Sequence, residues 1–448
     1  MPDFKKILRI VIFYLLVFVI TVIAGSLFYN RGTVSGNIQS SGSTMPVISV
    51  LTGGEKLNTM YGYAAPVDGG YMRETLTAVG KSRTINLCLT ENSYRVKSAS
   101  FELYNDQYTK LIESGECTAL EKVNAMLQTQ IVLRQNLKSN CEYCLCIRLL
   151  TEDDKSFYYY TRVRYGSDLK VAEKLKFVLD FNEATFGKEE DSVLSDYLEP
   201  DGQETVDLGY VNLNSSLDAV TWGSLEPSRT SELGILLKEI NTETAAFTLS
   251  YTVETAAGDL VTFYNVNEYY RIRMGSDKTY LLDFERTMTE DLRNSQLTVD
   301  GGMIRLGIGS QEDVECRSFG TEDHSCCCFV FNGQLWLYDL TNRIMTDIYK
   351  TVPDYKPYDT SEQTGIKVIR TDPETGDLHF IVYGYMHSGR YEGRAGVLIC
   401  RFSHDDVLLE EQMFIPYDKG AAQLKTGVET LSYMNDGGII YMMIDDVI

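Results

Sequence analysis

Arg162 to Asp168 reads RVRYGSD, and Arg271 to Asp277 reads RIRMGSD, nearly the same heptad written again 109 positions later. In each copy two arginines alternate with apolar residues: Arg162 and Arg164 with Val163 and Tyr165, Arg271 and Arg273 with Ile272 and Met274. A period of two belongs to a strand with one wet face and one dry face. The glycine that follows (Gly166, Gly275) permits a turn, and the Ser-Asp after it offers oxygens to the free N–H groups of a helix start. The pattern therefore predicts strand, turn and helix both times. Val171, Leu175, Val178 and Leu179 then hold one helical face in the first copy; Leu281, Phe284, Met288 and Leu292 hold one in the second. Both copies go on to share Leu-Asp-Phe, at Leu179 to Phe181 and at Leu282 to Phe284.

The likeness extends upstream, through Tyr158 to Tyr160 in one copy and Tyr269 and Tyr270 in the other. Alternating strands precede both: Tyr143, Leu145 and Ile147, then Phe247, Leu249, Tyr251 and Val253. The repeated unit is thus read as a domain, and its length suits a β-sandwich of about 100 residues plus a connector. In LKSNCEYCLCI, Leu137 stands six residues before Tyr143, which resembles the corner before a late strand of fibronectin type III domains. The second copy has Tyr251 but Ala245 in the place of the leucine. The resemblance implies spacer or docking domains, and the arginine pairs are read as an exposed strand face, with a ligand clamp as the alternative.

Composition sets the frame for the rest. With 448 residues the chain is long enough for two to four domains. Asp and Glu number 63 against 41 Lys and Arg, a net charge of -22 that argues against nucleic acid as a partner. Thirty Tyr, 35 Gly and 9 Pro among short apolar runs indicate a mainly β protein. The first 30 residues differ. Ile10 to Tyr29 carries no charge and is long enough to cross a bilayer core of ~30 Å as a helix. Lys5, Lys6 and Arg9 precede it, so the positive-inside bias leaves the bulk of the chain outside the cell membrane. A cleaved signal peptide, with Val22-Ile23-Ala24 near its cleavage site, is the rival reading. GTVSGNIQSSGST, Gly32 to Thr44, has the composition of a flexible stalk.

From about residue 300 the rhythm becomes a strand meander with Asn-Gly and Asn turns. GQLWLYDLTNR resembles the outer hairpin of kelch-like propeller blades, and TDPETGDLHF an inter-blade corner. Closed propellers need ~4 to 8 blades, so the three or so that fit here predict a partial propeller and a natural chain that runs past Ile448. The expected organisation is a cytoplasmic tail and signal-anchor (1–30), a stalk (31–45), a first sandwich (46–168), a helical connector (169–204), a second sandwich with a short helix (205–295) and propeller-like blades (296–448).

Chemistry is sparse. SDLK at Ser167 to Lys170 and KTG at Lys425 to Gly427 spell two boxes of penicillin-recognising enzymes, but Thr279 replaces Lys170 in the second copy and no SDN box exists. No cofactor motif and no catalytic residue is assigned. Cys316, His324, Cys326 and Cys328 have zinc-ligand residue types, against the plainer reading of small apolar side chains on strands; cross-strand disulfides stay open. One loop stands out: Tyr385, His387, Arg390, Tyr391, Glu392 and Arg394 gather among Gly384, Gly389, Gly393 and Gly396. They are the expected ligand-binding residues, folded over the propeller-like face, with a cell-wall glycan or a surface protein as partner. The functional expectation is a membrane-anchored extracytoplasmic binding or scaffold protein. The alternative is a propeller-based carbohydrate-active enzyme with paired carboxylates.

Overall fold

The structure is a computed structural model, and it describes residues 43–124, 126–187, 193–200, 208–257, 260–292, 298–300, 303–305, 314, 316–320, 325–351, 364–419, 421–445 and 447–448. The expected membrane segment and most of the stalk lie outside the described residues. Among those described, no helix is long and apolar enough to cross a membrane. The protein is mainly β.

Ten strands form the first unit: β1 (Val47–Thr52), β2 (Glu55–Met60), β3 (Leu76–Val79), β4 (Thr84–Thr90), β5 (Val96–Asn105), β6 (Leu111–Glu116), β7 (Glu121–Val123), β8 (Met126–Val132), β9 (Glu142–Thr151) and β10 (Ser156–Tyr165). They make two five-stranded sheets, in the orders β2-β1-β4-β8-β7 and β3-β10-β9-β5-β6. The heptad's strand β10 sits inside the second sheet, antiparallel to β9 and parallel to β3. One shared core fills the space between the sheets, with Ile48, Leu87 and Leu89 facing Leu103, Leu145, Ile147 and Val163. Each such side chain contributes roughly 1.5–3 kcal/mol by leaving water. At the entry to β9, the Tyr143 hydroxyl accepts the backbone N–H of Lys138 at 2.8 Å, and Leu137 is buried beside it.

After Asp168 the chain does form a helix, α1 (Val171–Thr185). Its start differs from expectation, because Lys170 precedes it in the left-handed region and no side chain caps it, neither Ser167 nor Asp168. The next elements are β11 (Tyr210–Asn212), α2 (Leu217–Val220), β12 (Ser228–Arg229), β13 (Gly234–Ile240), β14 (Thr244–Ala257), β15 (Leu260–Met274) and β16 (Thr279–Glu290). They form one six-stranded sheet, β11-β16-β15-β14-β12 with β13 also on β14. This corrects the expectation of a second two-layered sandwich: helix α1 supplies the other layer, laying Leu175, Val178 and Phe181 on Phe247, Tyr270 and Phe284.

The helix expected after Asp277 is also corrected. The second heptad ends β15, turns at Gly275 to Lys278 and returns as β16. Phe284 and Met288 stand four apart, a spacing that satisfies one helical turn and two strand pleats equally. The intervening Arg286 and the later Glu290 are buried too, so the true period is two. A bulge opposite Arg271 and Ile272 shifts Leu281 out of that phase and gives it the look of a helical position. The two Leu-Asp-Phe copies thus lie on different elements and meet, with the rings of Phe181 and Phe284 5.4 Å apart.

The third unit begins with a hairpin, β17 (Thr298–Asp300) and β18 (Met303–Arg305), then gives two four-stranded meanders. The first contains β19 (Cys316–Gly320), β20 (Ser325–Phe331), β21 (Gln334–Asp339) and β22 (Ile344–Lys350); the second contains β23 (Thr364–Thr371), β24 (Leu378–Tyr385), β25 (Ala395–Ser403) and β26 (Leu408–Pro416). Asn332 and Gly333 turn β20 into β21, both at positive φ, as an Asn-Gly hairpin requires. The meanders share a core of Leu335, Leu337, Phe380, Val382 and Leu398. A helix, α3 (Ala421–Thr430), and a hairpin, β27 (Ser432–Met434) with β28 (Ile440–Met442), follow. The described residues close no propeller ring. Cys316 is joined to Cys327 by a disulfide across β19 and β20. His324 lies outside the described residues, and no group of three or more metal-ligating side chains occurs within them.

The first two units share a core. Leu57 and Leu76 of the first belong to the cluster under α1. Buried Asn58 stitches the two, its amide donating to the Leu76 carbonyl at 2.8 Å and its oxygen accepting the Leu237 N–H at 2.9 Å.

Candidate functional site

The glycine-rich loop between β24 and β25 packs against the first unit rather than over a propeller-like face. Glu392 is buried, and its carboxylate accepts four hydrogen bonds from the start of the described chain. Ser43 Oγ, Thr44 N and Met45 N donate to Oε1 at 2.7, 2.7 and 3.0 Å, and Thr44 Oγ1 donates to Oε2 at 2.6 Å. Hydrogen bonds accepted by a carboxylate are among the stronger ones. Tyr385 donates its hydroxyl to the Gly62 carbonyl at 2.7 Å, and Ala64 N–H reaches the Gly393 carbonyl at 2.8 Å. Gly393 has φ +75°, and a Cβ there would lie 2.5 Å from the Met45 methyl and 2.9 Å from the Gly62 carbonyl oxygen. Close approach between the loop and the first unit is what this glycine serves.

His387 is sealed in the same contact. Its ring sits edge-on to Tyr61 and Tyr385, centroids 4.8 and 4.7 Å away, and neither ring nitrogen has a hydrogen-bond partner among the described residues. Burial pushes its pKa down to about 3, so it is neutral. Tyr391 is half-buried and stacks on Phe414 at 4.3 Å. Of the six expected ligand-binding residues, only Arg390 and Arg394 are exposed. The structure brings Tyr385, His387 and Glu392 together as a clasp between the third unit and the first.

A second polar cluster is closed as well. In the six-stranded sheet Glu268 accepts Tyr251 and Tyr270 hydroxyls at 3.0 and 2.7 Å and the Asn182 amide of α1 at 2.7 Å. Burial raises its pKa, opposed by the charge of Arg286. Arg286 in turn donates to the Ala219 and Val220 carbonyls at the end of α2 and lies 3.8 Å from the Trp222 ring centre. All these groups are buried, so the network holds sheet to helices and offers nothing to a ligand.

The open site is elsewhere, on the outer face of the first unit, and it was not singled out in the sequence. An open cleft of about 720 Å3 is walled by four separate stretches: Gly70 and Arg73; Asn105, Asp106, Lys110 and Ile112; Asn136 to Lys138 with Asn140 to Cys144; and Arg162 with Arg164 of the heptad. Glu142 stands opposite Arg164 across the β9–β10 ladder, and its two oxygens take Arg162 at 3.1 Å and Arg164 at 3.2 Å. Arg164 also donates to Asn241 of the second unit at 2.7 Å. The sequence showed the alternating arginines; the walls that turn them into a cleft come from residues far away in the chain.

No known family matches the chain, and no curated protein does. Among solved structures, dimeric latent PorU from Porphyromonas gingivalis is similar over 83% of this chain and 33% of its own, at 10% identity and a TM-score of 0.17. The chain spans about a third of that protein, and a score of this size carries no argument about fold or function.

Proposed function

We propose that the protein is a membrane-anchored extracytoplasmic binding or scaffold protein, held by a single helix at residues 10–29 with the described units outside the cell. The clasp is the observation that supports the reading. Ser43, Thr44 and Met45, where the Gly/Ser/Thr stalk ends, are hydrogen-bonded to Glu392, which lies 349 positions beyond Ser43. A stalk that ends in a contact joining the first and third units would carry them as one body and hold it at a set distance from its anchor. In finer detail, the first unit is a fibronectin type III-like sandwich, a reading supported by the Tyr143 to Lys138 bond. The two meanders are propeller-like blades, supported by their sequential four-strand order.

The partner is a cell-wall glycan or a surface protein and not nucleic acid, in keeping with the net charge of -22. At the glycine-rich loop such a partner would meet Arg390 and Arg394. The enzyme alternative required carboxylates on the floor of a ring, and with no ring closed among the described residues no observation favours it. Protease treatment of intact cells tests the topology. Release of fragments from residues 43–448 is expected, and full protection on intact cells with cleavage after lysis would overturn it.

A further inference from the structure

We infer that the cleft of the first unit is a binding site for an oligoanion, a ligand with two or more carboxylate or phosphate groups. Five cations line it, Arg73, Lys110, Lys138, Arg162 and Arg164, against two carboxylates, Asp106 and Glu142. The excess of three positive charges sits on a chain whose net charge is -22. Concentrating like charges in one concavity is unfavourable unless something negative is bound there part of the time, and a low-dielectric wall focuses their field on the opening.

Glu142 does not cancel this set. It engages Arg162 and Arg164, which are each only about a fifth exposed at 19% and 20% of their side-chain area, and fixes both guanidiniums on the cleft wall. Arg73, Lys110 and Lys138 are exposed and make no ion pair among the described residues.

The cation-bearing loops are also held in place before any ligand arrives. Asn105 Oδ1 accepts the Thr109 and Lys110 N–H groups at 2.8 Å each. The Tyr143 hydroxyl holds the Lys138 N–H, and Asp68 Oδ1 takes the Gly70 N–H at 2.9 Å. Sites whose groups are ordered in advance lose less entropy on binding. The volume lies within the ~300–1,000 Å3 range of ligand pockets, which suits several linked anionic groups rather than one small ion. The glycine-rich loop shows the contrast: Arg390 and Arg394 are exposed there, and neither lines the cleft.

The test is calorimetric titration of the full-length protein in a non-ionic detergent with citrate, trigalacturonate and tripolyphosphate. The first two carry carboxylates and the third phosphates, so the arms tell the two sources apart. Saturable binding of at least one probe is expected, weakening by about tenfold or more from low to moderate salt as screened charge pairs must. It should be lost in R73Q combined with K110Q, two residues without ion pairs whose replacement leaves the fold's contacts intact. It should be retained in R271Q combined with R273Q, the matching pair of the second heptad outside the cleft. No binding of any probe would overturn the inference, as would binding undiminished in the R73Q/K110Q protein while it melts like the parent.

Discussion

The glycine-rich loop and the cleft are built from the same kinds of residue, arginines around a glutamate with tyrosines nearby, yet one is shut and the other open. In the loop the six residues fall within ten positions, and Glu392 spends all of its acceptor strength on the chain's own Ser43, Thr44 and Met45. In the cleft the residues span Gly70 to Arg164, and Glu142 is used only to hold two arginines in place. Dense chemistry in a short stretch here marks a knot that ties units together. The recognition surface comes instead from side chains that no local window contains, because a concavity needs walls on several sides and one loop supplies only one.

Substitutions can break or sharpen this contrast. Glu392→Ala should have the largest effect. It leaves four donors without their acceptor, two of them backbone N–H groups, and should cost about 2–4 kcal/mol in denaturant unfolding. Oligoanion binding per folded molecule should not change. A cost below ~1 kcal/mol would mean that the clasp is no more structural than the cleft.

His387 gives a smaller effect of defined sign. Its folded pKa, about 3, lies below the ~6.5 of an unfolded chain, so between those values the unfolded state binds the more protons. Stability contributed by the neutral ring is full above ~6.5 and falls on acidification, by up to roughly 1.4 kcal/mol per pH unit. The unfolding free energy of the parent should therefore drop about 2–3 kcal/mol more than that of His387→Phe between pH 7 and pH 4.5. Parallel pH profiles for the two proteins would show that the ring is not sealed.

Arg162→Ala should cost about 0.5–1.5 kcal/mol in thermal unfolding. Glu142 keeps Arg164, and the pair is partly exposed to screening water. Arg390→Ala combined with Arg394→Ala should be nearly silent, within ~0.5 kcal/mol, since both are exposed. Should this last variant melt far below the parent, the exposed rim of the loop would belong to the clasp as well.

Much of the β architecture was legible because alternation is a local property. The Arg-Val-Arg-Tyr and Arg-Ile-Arg-Met runs are strands in both copies, and Asn332-Gly333 turns a hairpin. The element after each heptad was legible only once. In the first copy Leu169 is buried under the helix that follows, whereas Lys278 holds the matching place in the second and lies in an exposed turn. Phe284 and Met288 could not decide between helix and strand, because Arg286 between them is polar by type and buried by circumstance. Its burial depends on the Ala219 and Val220 carbonyls, about 66 positions earlier. The six residues of the loop were correctly seen as unusual, and their use was not, since nothing near them in the chain announces Thr44 or Tyr61.

The amino-acid sequence by itself determined the strand-rich character, the phase of the main strands and the sign of the overall charge, since each is a sum or a short period over neighbouring residues. Only the tertiary structure decided that the second heptad belongs to a single helix-covered sheet, that Glu392 faces Thr44, and that Arg73, Lys110, Lys138, Arg162 and Arg164 border one opening. Those facts rest on contacts between residues tens to hundreds of positions apart. Which distant groups meet is settled by how whole sheets bury their apolar faces, and a local run of side chains does not encode it.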